Sequence, residues 1–101
     1  MEDKRSHPRV PIDAVFSCEP KSGTAFQARA KDVSVGGMFL EASQLPVFGT
    51  ELTIVGQLPG AKKELRLPAV VRWVKPGGFG VQFGLLGVFE THVLSELMKE
   101  P

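Results

Sequence analysis

Apolar residues recur at every second position through most of the chain, the period of a strand with one buried face. Val10, Ile12, Ala14, Phe16 and Cys18 share such a face and predict a first strand. Pro20 to Gly23 reads as a turn, and a second strand is predicted from Thr24 to Ala30. Asp32 to Gly37 interrupts the pattern before Met38, Leu40 and Ala42 resume it in a third. Leu45 to Gly49 is a loop, and Leu52 and Ile54 mark a fourth strand. After the Pro59-Gly60 turn comes the clearest alternation, with Leu65, Leu67, Ala69, Val71 and Trp73 on one face. That pattern places Trp73 in the core. Pro76-Gly77-Gly78 then turns into a sixth strand carrying Phe79, Val81 and Phe83.

Beyond Gly87 the period changes. Phe89, Val93 and Leu97 lie four apart with Leu94 and Met98 beside them, which predicts a closing helix packed on the strands. Short strands bounded by turns, then one helix, give a mainly β fold: a six-stranded antiparallel β-barrel with a C-terminal α-helix. Residues 1–9 are polar and charged and read as an arm, and residues 10–101 read as one barrel domain.

Composition narrows the function more than the fold. With 43% hydrophobic and 23% charged residues, the 101-residue chain has enough apolar material for a core. Twelve Lys and Arg against eleven Asp and Glu leave a net charge of +1. A protein that coats a nucleic-acid polymer or an anionic membrane needs a broad basic surface, so neither is expected as a partner. A local cluster that grips one small anion stays open. Cys18 is the single cysteine, so an internal disulfide and a cysteine-based zinc site are excluded. His7 and His92 lack metal-ligand spacing, and no metal is expected. No apolar run follows Met1 to Arg5, and the uncharged stretch from Pro76 to Phe89 is broken by five glycines. Neither a signal peptide nor a membrane span is predicted, and the expected compartment is the cytoplasm.

Catalysis finds no support. Ser34 stands in Val33-Ser34-Val35, which is not a nucleophile elbow. Pro76-Gly77-Gly78-Phe79-Gly80 lacks the Lys-Ser/Thr ending of a phosphate loop and reads as a hairpin turn. Binding fares better, and two segments carry it. In Arg5-Ser6-His7-Pro8-Arg9, Pro8 biases His7 away from helix, so both arginines ride on an extended or turning arm. Each guanidinium can fork onto a phosphate or onto the O6 and N7 edge of guanine. A solvated tail is the plain alternative. In Asp32-Val33-Ser34-Val35-Gly36-Gly37, the carboxylate can accept from the donor edge of guanine, the hydroxyl can add a contact, and the glycines permit close approach. The plain alternative is a turn in which Asp32 and Ser34 bond their own backbone amides.

Taken together, Arg-x-x-x-Arg before the first strand and Asp-x-Ser-x-x-Gly between the second and third resemble the signature of PilZ domains, bacterial receptors for cyclic di-GMP. The strand pair Ala69 to Val74 and Gly80 to Phe83, and the closing helix, are similar as well. The resemblance implies a barrel whose arm folds over the nucleotide. Arg5 and Arg9 would hold phosphates and guanine edges, Asp32 and Ser34 would read a guanine, and Gly36 and Gly37 would supply the tight backbone. Lys4, just before the first arginine, sits where the family sets one ligand against a stacked pair. The implied ligand is cyclic di-GMP, the implied partner an effector protein contacted by a monomer or weak homodimer, and the implied processes are motility and biofilm formation. Two other readings stay open: a PilZ-like adaptor that does not bind the nucleotide, and a small barrel that stacks single-stranded RNA on Phe79 and its neighbours.

Overall fold

The computed structural model describes residues 9–98, and the expected barrel is present. Its strands are β1 (Val10–Pro20), β2 (Phe26–Val33), β3 (Gly37–Glu41), β4 (Glu51–Gly56), β5 (Leu65–Lys75) and β6 (Gly78–Phe83). Every pairing is antiparallel, and the order β1-β2-β3-β6-β5-β4 closes on itself through β4 and β1. Closure leaves no sheet edge to template aggregation.

Alternation builds the interior. Phe16 and Cys18 of β1, Met38 and Leu40 of β3, Leu65 and Leu67 of β5 and Phe79 of β6 are almost wholly buried. Each such aliphatic or aromatic side chain contributes roughly 1.5–3 kcal/mol by leaving water. Burial pushes the Cys18 thiol up to about 12, so it stays protonated and unreactive in the interior.

Helix α1 (Val88–Met98) closes one side of the barrel. Its anchor is Leu94, fully buried, with Val93 and Leu97 partly buried beside it. The predicted stripe of Phe89, Val93 and Leu97 is therefore displaced by about one position, and Phe89 stays largely exposed. Among the described residues, no helix is long and apolar enough to cross a membrane.

Three irregularities alter the alternation, and two of them bear on a prediction. One lies between Pro11 and Ala14 in the β1–β2 pairing and another between Ala30 and Asp32 in β2–β3. The second lets β2 run on through Asp32 to Val33, beyond the predicted end at Ala30. The third lies between Val71 and Trp73 where β5 meets β6. An extra residue in one strand turns the following side chains to the opposite face. Val71 points into the core, and Trp73 points out and is 43% exposed. The expectation of a core tryptophan is thus overturned by a bulge.

Candidate functional site

Asp32 stands near the end of β2, on the strand that enters the Asp-x-Ser-x-x-Gly turn. Strand pairing sets Val10 opposite Val33 and Pro11 opposite Asp32, so the start of β1 lies alongside it. Arg9, the residue before β1, places its Nη1 on Asp32 Oδ1 in an ion pair spanning 23 positions. Both side chains keep about a third of their surface in water, at 29% and 31%. Screening holds such a pair to roughly 1 kcal/mol or less, so a ligand can displace it. The barrel thus unites one arginine of the arm motif with the carboxylate of the turn motif. Lys4 and Arg5 lie outside the described residues.

The turn itself is tied down by its serine. Ser34 is buried, and its Oγ accepts from the backbone N–H groups of Gly36 and Gly37 at 3.1 and 3.2 Å. The Ser34 N–H donates to the Gly37 carbonyl at 2.8 Å, and the Gly36 carbonyl accepts from Phe83 at 2.9 Å. This is the self-bonded turn that sequence offers as the plain alternative for Ser34, and it leaves the hydroxyl proton as the group still able to donate. Gly37 has a steric reason of its own: a Cβ there would stand 2.3 Å from the Val81 carbonyl oxygen. The bond from Phe83 and this contact weld the turn to β6.

Several neighbours escape sequence reasoning. Phe39 pairs with Asp32 across β2–β3, and Gly80 pairs with Phe39 across β3–β6. Trp73 pairs with Gly80 across β5–β6, so a single row runs Asp32, Phe39, Gly80, Trp73 over the outer face. Phe39 and Trp73 stack at 5.3 Å between centroids, and the Lys75 ammonium lies within 6 Å of both. Arg72 Nε donates to Gln82 Oε1 at 2.8 Å, bridging β5 and β6. The bulge that turns Trp73 outward leaves no signature in the hydrophobic pattern, and without it these residues do not line up.

A concavity of about 450 Å³ lies between the 58–63 loop and α1, lined by Leu58, Ala61, Lys63, Phe89, Val93 and Leu97 among others. It shares no residue with the Arg9–Asp32 region. Among the described residues, no group of three or more His, Cys, Asp or Glu side chains could hold a metal ion.

Solved structures share this architecture. The PilZ domain of CeSA from a cellulose-synthesizing bacterium superposes with a TM-score of 0.71 at 18% identity, covering 90% of this chain and 94% of that one. The PilZ domain of Escherichia coli YcgR with c-di-GMP gives 0.72 at 13% identity, covering 95% and 89%. The Borreliella burgdorferi PlzA protein in complex with c-di-GMP also gives 0.72, at 15% identity, covering 96% of this chain and 42% of that one. At such identities the likeness establishes the fold. Among curated proteins the sequence finds no match. The PilZ domain family model, however, matches residues 3–93, nearly the whole chain. With that match and this barrel, the chain belongs to the PilZ domain family.

Proposed function

We propose that this chain is a receptor for cyclic di-GMP. One observation carries the reading: folding brings Arg9 onto Asp32 on an accessible face, directly beside the Ser34 to Gly37 turn. A cation for phosphate or the guanine O6 and N7 edge and a carboxylate for the guanine donor edge are the two recognition groups such a ligand needs. That PlzA and the PilZ domain of YcgR hold c-di-GMP on the same fold supports it.

In this reading residues 1–9 are the ligand-binding arm. Arg5 joins Arg9 on the phosphates and guanine edges, Lys4 bears on whether one ligand or a stacked pair is held, and Asp32 and the Ser34 hydroxyl read a guanine. Gly36 and Gly37 keep the turn low enough for the base to approach. Before ligand arrives Arg9 and Asp32 satisfy each other. The ligand therefore exchanges one weak ion pair for several charge-assisted contacts, and the arm changes the surface seen by an effector protein. The processes controlled would be those of the family: motility, surface polysaccharide and biofilm.

The test is equilibrium dialysis with labelled cyclic di-GMP on the wild type, Arg9→Ala and Asp32→Ala. A good bidentate contact to guanine is worth about 1–3 kcal/mol, so each variant should bind about tenfold more weakly or worse. Binding that both variants retain within a factor of about two would move the ligand elsewhere on the barrel. A wild type that binds nothing leaves the adaptor reading, in which the domain contacts a protein without the nucleotide.

A further inference from the structure

The stripe of Phe89, Val93 and Leu97 is not absorbed by the barrel. Leu94 is the helix residue that enters the core, and one step along a helix is a rotation of about 100°. Val93 and Leu97 are therefore only partly buried, and Phe89 is 45% exposed. Residues spaced four apart line up, so the three form an apolar ridge about 12 Å long on one side of α1.

Across from that ridge stands a wall that the β4–β5 connection holds in place. Leu58-Pro59-Gly60-Ala61 has the pattern of a type II turn. Gly60 takes a φ of 82°, and the Ala61 N–H donates to the Leu58 carbonyl at 3.0 Å. Gln57 Nε2 donates to the Ala61 carbonyl at 3.1 Å, a second tie across the same loop. Leu58 is buried, and Ala61 packs partly buried against the core. Between wall and ridge lies the groove of about 450 Å³, a size typical of small-ligand sites. Its charges are unevenly placed. The loop side carries Lys62 and Lys63, and the helix side carries His92 and Glu96. The Lys63 ammonium lies 5.9 Å from the Phe89 centroid, so it reaches across the opening from loop to helix.

We propose that this groove binds a free medium-chain carboxylate, its acyl chain along Phe89, Val93 and Leu97 and its carboxylate at Lys62 and Lys63. A wet apolar ridge favours an apolar occupant. Two ammonium groups on one rim select an occupant with a negative end. The flexible lysine stems let both amines converge on one carboxylate while their methylenes cover the first carbons of the chain. Glu96 on the helix side repels a carboxylate that enters in reverse, so the site has a direction. A bilayer calls for a broad basic face, which a chain of net charge +1 does not supply, whereas a single carboxylate needs only this rim. The site is separate from the cyclic di-GMP reading and stands without it. A cyclic dinucleotide is doubly anionic but has no aliphatic part to match this lining.

Calorimetric titration with dodecanoate below its micelle concentration tests the proposal, with dodecyltrimethylammonium as the control amphiphile. Dodecanoate should saturate a single site per chain and bind about tenfold or more tightly than the cation of equal chain length. Replacing both lysines, Lys62→Gln with Lys63→Gln, should weaken dodecanoate about tenfold and remove most of that preference. Phe89→Ala, which shortens the ridge and leaves the core intact, should weaken it severalfold. Circular dichroism confirms that each variant keeps the barrel. Equal affinity for the two amphiphiles, or dodecanoate binding that no variant moves beyond about twofold, overturns the assignment. Absence of saturable heat does the same. A dimer in sedimentation equilibrium that Phe89→Ala dissociates also overturns it, because a second copy would then cover the groove. Cyclic di-GMP binding should be unchanged in these variants, so this proposal and the receptor reading fail separately.

Discussion

Gly37 and Arg9 illustrate two kinds of residue constraint in the signature. Gly37 is held by the barrel: the Val81 carbonyl lies where its Cβ would go, and backbone cannot swing aside. Gly37→Ala should cost about 1–3 kcal/mol and lower the melting temperature by roughly 10 °C, measured by thermal denaturation. An unchanged Tm would show that β3 and β6 part easily at this point. Arg9 keeps about a third of its side chain in water and, among the described residues, is paired with Asp32, so packing alone does not fix its identity. Ser34 resembles Gly37, because its buried oxygen holds the turn by accepting from two backbone N–H groups. The two motifs were legible in the chain through their resemblance to the family's signature, each segment by itself also fitting a plain tail or turn. Their present engagements were not, since whether Asp32 faces a cation depends on the pairing of β1 with β2.

At the scale of elements, alternation located all six strands because most of them bury one face far more than the other, and the period-two signal follows from that. The same signal misplaced Trp73. Val71 and Trp73 read as one face in sequence, and the extra residue between them reverses the second without changing its polarity. The helix shows a related limit. Phe89, Val93 and Leu97 fit a stripe, but the docking of α1 on the barrel selects Leu94 as the residue that enters the core. Leu94→Ala should therefore destabilise the fold by about 2–5 kcal/mol, while Phe89→Ala should stay within about 0.5 kcal/mol of wild type. Guanidinium unfolding of the two variants separates them, and equal effects would mean that the helix packs by the predicted stripe after all.

For the whole molecule, closure of the barrel is what brings distant segments together on one face. The carboxylate of β2, the ring of β3, the glycines of β6 and the indole of β5 meet on one outer face because those strands are neighbours in the order β2-β3-β6-β5. The near-neutral charge of +1 fits local rather than diffuse attraction for a small anion. Calorimetric titration of the full chain with cyclic di-GMP, with GTP as the control ligand, tests the receptor reading most directly. Saturable heat is expected for the cyclic dinucleotide at one or two ligands per chain, and none for GTP. Absence of heat with ligand at tens of micromolar, a concentration that would reveal any affinity better than about −6 kcal/mol, would contradict it.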